Sequence, residues 1–219
     1  MKIVCLGDSV TQGCFEIVKN SSGEWELVIE PESSYVSLLS AMLKTAFPEK
    51  NIEVINAGIS GESTAEALNR LEKDVISENP DIVTVCLGLN DSGRRDTALY
   101  CANLSEIFGR VSQTGAKLIF LTPNMLNTYV DPDTPDYLIS MAKNCTDIQN
   151  NGYMDELINS GIETVERYGA VICDAYSVWK KYASYGIDTT ALLCNHINHP
   201  KREMHRLFAE MLFEAISVI

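Results

Sequence analysis

The residues of this chain whose types could do covalent chemistry are Ser9, a group of histidines near the C-terminus, and two short segments rich in Gly and Asn. The run Lys2-Ile3-Val4-Cys5-Leu6 stops abruptly at Gly7-Asp8-Ser9, the pattern of a buried strand feeding a tight turn. Such a turn exposes a hydroxyl at the carboxyl edge of a sheet, where open α/β folds bind their ligands. A neutral serine hydroxyl is a weak nucleophile until a neighbouring base takes its proton. The only histidines are His196, His199 and His205. His205 falls in the middle of the last helix, beside its apolar stripe, and reads as structural. His199 precedes Pro200, which places it on a loop opening into that helix, a suitable mount for a base.

Acyl transfer also needs donors aimed at a developing oxyanion. Asn56-Ala57-Gly58 follows the second apolar run, and Gly58 offers a backbone N–H without side-chain obstruction. Gly88-Leu89-Asn90-Asp91 follows the third, and Asn90 offers a side-chain amide. Asp8 reads as a brace for the serine turn and Asp91 as a brace or N-cap for the next helix. Cys194-x-His196-x-x-His199 contains zinc-ligand types, but the spacing is loose and a fourth ligand is missing, so no metal is expected. Ser9-Val10-Thr11-Gln12-Gly13 faintly resembles a phosphate-holding loop of an FMN-binding flavodoxin, a reading that leaves Asn90 and His199 unexplained.

The elements that must position these groups follow from periodicity. Apolar runs at Ile3–Leu6, Ile52–Ile55, Ile82–Leu87, Leu118–Leu121 and Val171–Cys173 alternate with helical stripes such as Tyr100/Leu104/Ile107/Phe108/Val111 and Met204/Leu207/Phe208/Met211/Leu212/Ala215. Ser63-x-x-Glu66 reads as a capping box. This alternation implies βαβ units and a parallel sheet covered on both faces. With the strand order 2-1-3-4-5, strand one lies between strands two and three, and Ser9 sits between Gly58 and Asn90. Two segments exceed the minimal pattern. Residues 14–34 read as a β-hairpin, either a wall of the site or an interface ribbon. Residues 122–150, rich in Asn, Asp and Pro, read as a long loop and a candidate lid.

Gly7-Asp8-Ser9, Gly58, Gly88-x-Asn90-Asp91 and His199-Pro200, in that order and at comparable spacing, resemble the four blocks of the SGNH (GDSL) hydrolase superfamily. The resemblance spans nearly the whole chain. It implies a three-layer α/β/α flavodoxin-like fold with a five-stranded parallel sheet in one domain, 1–219. It also implies a serine-dependent hydrolase of carboxylic esters that needs no cofactor. Ser9 would be the nucleophile, and its N–H would join Gly58 N–H and Asn90 Nδ2 in the oxyanion hole. His199 would be general base and acid. Substrates in such families range over acyl esters, acetylated sugars, lysophospholipids and thioesters. The same scaffold also admits an acyltransferase or a non-catalytic binding module. One position departs from the family pattern: an Asp is usual three residues before the base, to fix its tautomer, and here that residue is His196 beside Asn195. A backbone carbonyl or another acid, with Asp174 and Asp188 as candidates, must then orient His199, unless the pair works as a Ser–His dyad.

Composition narrows the partners. The chain of 219 residues is 46% hydrophobic and 21% charged, ordinary for a globular domain with a sizeable core. Its net charge of −13 repels nucleic acid and anionic membrane surfaces, so neither is an expected partner, and the small-molecule ester that the resemblance implies stands as the one expected. Neither a targeting segment nor a run long enough to span a membrane is visible. The seven scattered cysteines suit a reducing cytoplasm.

Overall fold

Strand β1 (Lys2–Gly7) is buried along its whole length after Lys2, as its unbroken apolar run requires. The structure, a computed structural model, describes residues 1–218. After β1 the chain makes one turn of helix, α1 (Ser9–Gln12), and then a hairpin of β2 (Cys14–Lys19) and β3 (Trp25–Ile29). Asn20 shapes the hairpin turn, its side-chain oxygen accepting from the Ser22 and Glu24 amides at 3.0 Å each.

The remaining elements alternate. They are α2 (Tyr35–Ala46), β4 (Glu53–Gly58), α3 (Thr64–Asp74), β5 (Ile82–Cys86), α4 (Leu89–Arg94), α5 (Thr97–Ser112), β6 (Lys117–Leu121), α6 (Ile139–Asn150), α7 (Tyr153–Glu166), β7 (Val171–Cys173), α8 (Ala175–Ser184) and α9 (His205–Ser217). The parallel sheet runs β4-β1-β5-β6-β7. Its labels differ from the expected 2-1-3-4-5 because the hairpin places β2 and β3 between the first two sheet strands in the chain. With those two set aside, β1 is flanked by β4 and β5, with Gly7 level with both Gly58 and Cys86. Helices α2, α8 and α9 cluster on one face, and α3, α5 and α7 on the other, around one contiguous apolar core.

Local chemistry explains the boundaries that matter for the site. Asp8 caps α1 by accepting from Val10 N–H at 3.0 Å, and Gly13 ends it in the left-handed region. The Ser63/Glu66 capping box opens α3. Gly88 holds φ +141, which a side chain would resist, so β5 turns straight into α4.

Two expectations need correction. Only residues 122–135 of the long loop lack helix or strand; a 3-10 turn (Asp136–Leu138) and α6 fill the rest. Leu138, Ala142 and Ile148 are buried and Cys145 packs beside them, a helical spacing hidden in the sequence by the polar residues between. His205 opens α9 rather than sitting in its middle. Pro200 instead forms an isolated bridge with Leu193, and a 3-10 turn (Arg202–Met204) precedes the helix.

Candidate active site

Ser9 is the first residue of α1, at the carboxyl end of β1, and His199 lies 190 residues later on the loop before α9. The fold brings Ser9 Oγ and His199 Nε2 to 2.9 Å. Both side chains are nearly enclosed, with Ser9 4% and His199 3% exposed. Burial pushes the imidazole down to about 4, with the Phe15 carbonyl opposing that shift. At neutral pH His199 is therefore an uncharged base facing a hydroxyl, the protonation state needed to accept a proton.

The loop carrying His199 is tightly tied. Asn195 Oδ1 accepts from the amides of Ile197, Asn198 and His199, each at 3.0 Å, and Cys194 N–H donates to His199 O at 2.8 Å. His199 Nδ1 lies 3.2 Å from the backbone carbonyl of Phe15, so this nitrogen carries the proton and Nε2 presents its lone pair to Ser9. The candidate acids are elsewhere. Asp174 caps α8, accepting from Ser177 N–H and Thr122 Oγ–H. Asp188 accepts from Tyr129 Oη–H at 2.6 Å and from Ala191 N–H. His196, held at φ +57, points its Nδ1 toward Asp131 at 3.4 Å rather than toward His199. Among the described residues no group of His, Cys, Asp and Glu is arranged to hold a metal ion.

On the other side of Ser9 the donors are less free than their spacing suggests. Gly58 N–H donates to Asn56 Oδ1 at 2.9 Å, so it is already engaged. Gly58 is glycine for a packing reason: a Cβ there would lie 2.3 Å from Gln12 N, where α1 crosses the end of β4. Asn90 Nδ2 donates one hydrogen to Glu62 O at 2.8 Å and keeps a second. The turn between these groups is anchored at both ends, by Ser60 on Gln12 Oε1 and by Glu62 on Asn90. Between them, Gly61 N–H has no hydrogen-bond partner among the described residues. Asp91 is a brace, accepting from Thr64 N–H and from Thr64 Oγ–H at 2.5 Å. Burial pushes the Asp8 carboxyl up to about 7.

The sequence pattern of the GDSL-like lipase/acylhydrolase family matches residues 5–207. The chain belongs to that family. Against curated relatives, it is 33% identical to an acetylxylan esterase of Geobacillus stearothermophilus over 43% of this chain and 41% of that protein. It is 30% identical to an arylesterase of Vibrio mimicus over 59% and 60% of the two chains. The chain thus aligns with less than two thirds of either relative. Among solved structures, LAE5, an alpha/beta hydrolase enzyme from the metagenome of Lake Arreo, Spain, superposes with a TM-score of 0.73 at 26% identity, covering 99% of this chain and 94% of the other.

Several residues of this GDSL-like chain that shape the site carried no motif. Arg70 on α3 donates to Gly7 O at 3.2 Å and Ala57 O at 2.8 Å, clamping the ends of β1 and β4, and pairs with Glu62 at 2.6 Å. Gln12, which entered the sequence reading only as part of a phosphate-loop resemblance, holds Ser60 through its Oε1. The Phe15 carbonyl is part of the backbone and invisible to residue-type reasoning. The hairpin also walls a cavity of about 200 Å³ beside the His199 loop, lined by Glu16, Val18, Tyr137, Leu138, Asn195 and His196.

Proposed function

We propose that this protein hydrolyses carboxylic esters of short acyl groups through a covalent acyl-enzyme on Ser9. The observation carrying this reading is the buried 2.9 Å contact between Ser9 Oγ and His199 Nε2. In the proposed cycle His199 takes the Ser9 proton as Oγ attacks the ester carbonyl. The resulting oxyanion is held by Ser9 N–H, by the free hydrogen on Asn90 Nδ2 and by a donor from the loop after β4. We assign that last role to Gly61 rather than Gly58, because Gly58 N–H is occupied while Gly61 N–H is unengaged between two anchors. Collapse of the intermediate passes the proton from His199 Nε2 to the leaving alkoxide. His199 Nε2 then takes a proton from water as the water oxygen attacks the acyl carbonyl, and returns it to Ser9 Oγ as the acyl–Oγ bond breaks and the carboxylic acid leaves.

Short acyl groups are favoured because Ser9 and His199 are almost fully enclosed. The esterase names of the curated relatives support ester chemistry. The test compares wild type and Ser9→Ala on aryl acetates and aryl octanoates. Wild type should turn over the acetate faster, and Ser9→Ala should lose activity by about 10⁴-fold or more with its melting curve unchanged. Activity that survives in Ser9→Ala would overturn the assignment of the nucleophile.

A further inference from the structure

We infer that a β-bulge at Phe15 supplies the acceptor that orients His199, in the place where a carboxylate would stand, so that the β2–β3 hairpin is a positioning element for the base. This rests on the proposed roles of Ser9 and His199. The bulge is visible in the register. Cys14 pairs with Ile29 and Glu16 with Val28, leaving Phe15 without a partner on β3. An unpaired residue at a bulge turns its backbone groups out of the ladder, and bulges beside active sites re-aim such groups. The freed Phe15 oxygen faces two donors, His199 Nδ1 at 3.2 Å and Cys194 Sγ at 2.6 Å, matching the two lone pairs of a carbonyl.

The bulge is locked to the segment that carries the base. The buried Phe15 ring lies under the Arg202 guanidinium at 4.4 Å and against the His205 ring at 4.9 Å, both just past His199 in the chain. Arg202 Nε donates to Glu30 Oε2 at 2.7 Å, and Glu30 N–H closes the base of the hairpin on Gly13 O at 2.8 Å. Both strands of the hairpin are thereby fixed relative to the imidazole. Among the described residues no carboxylate hydrogen-bonds to His199. A neutral carbonyl fixes the Nδ1–H tautomer and the ring plane while adding no countercharge to the imidazolium.

The test replaces the Phe15–Glu16 amide by an ester, using the α-hydroxy analogue of glutamate at position 16, which makes the Phe15 carbonyl a weaker acceptor. A second protein with the ester one linkage later, between Glu16 and Ile17, controls for general damage to the hairpin. In the first protein the His199 Nδ1–H proton resonance should move upfield. Its kcat on an aryl acetate should fall about tenfold or more with KM within about twofold, as expected for lost positioning rather than lost binding. The control should keep both. Equal losses in the two proteins, or an unmoved resonance, overturns the inference. D131N, D174N and D188N should each keep kcat within about threefold, and a hundredfold loss in any of them would assign the orienting role to that acid. If wild type shows no Ser9-dependent hydrolysis, the functional reading fails, while the resonance still decides whether Phe15 holds the imidazole.

Discussion

His199 meets Ser9 on one nitrogen and the Phe15 carbonyl on the other, and its titration is set by burial, with that carbonyl opposing the shift. With the imidazole pushed down to about 4 by burial, the acid limb of kcat/KM should lie near pH 4, well below the ordinary histidine value. The groups near it are the Ser9 hydroxyl, the Phe15 carbonyl, His205 (itself pushed down to about 3), the Cys194 thiol (pushed up by burial to about 12), Arg202 and Glu16. A pH–rate profile whose acid limb falls near 6.5 would point to a carboxylate partner instead. Asp8 gives a second, separable signature. Its carboxyl is raised to about 7 by burial, so the stability it lends is fully present below the ordinary carboxylate range and is lost as pH rises through about 7. Asp8→Asn keeps an oxygen for the Val10 amide and removes the buried charge. Thermal unfolding should therefore show the variant more stable than wild type above pH 7, with the two converging near pH 4. The histidines act in the opposite sense: His199 and His205, both depressed, contribute stability above about 6.5 that is lost as pH falls toward 4 and 3.

At the scale of elements, the site stands where β1, β4 and β5 end, and side chains from elsewhere hold those ends in place. Arg70 reaches from α3 to two strand carbonyls and to Glu62, with its own side chain 12% exposed. Arg70→Ala would leave Glu62 and two carbonyls without their cation. It should cost about 3 kcal/mol of stability, as breaking a largely buried pair does. It should also lower kcat more than it raises KM, because the turn bearing Gly61 and Glu62 loosens. Chemical denaturation and steady-state kinetics read the two effects. Unchanged kcat would separate that turn from catalysis. The hairpin plays the matching part on the side of the base. Its alternating pattern was readable in the sequence and left open whether the ribbon walls the site or faces outward; in the fold its apolar stripe is exposed, with Trp25 57% exposed. Alternation defines two faces of a ribbon without saying which of them meets the body of the protein.

Over the whole molecule, the net charge of −13 acts on any charged ester approaching the site. An aryl acetate carrying a carboxylate should show kcat/KM rising with salt, while a neutral analogue stays flat; equal slopes would mean that the acidic surface does not reach the site. The parallel sheet, its flanking helices, the serine turn and the His-Pro loop were legible in the chain, because each is written in local periodicity or in residues whose backbone preferences are fixed within a few positions. Gly58 was also singled out, as a donor; the fold adds that its N–H donates to Asn56 Oδ1 and that a Cβ there would collide with α1. Gly61, Arg70, the hold of Gln12 on Ser60 and above all the Phe15 carbonyl emerged only in three dimensions. Every residue carries a carbonyl and an amide, so no residue type marks the one that matters. Only the pairing register of the hairpin, and the meeting of chain segments 184 residues apart, single out the oxygen that holds His199.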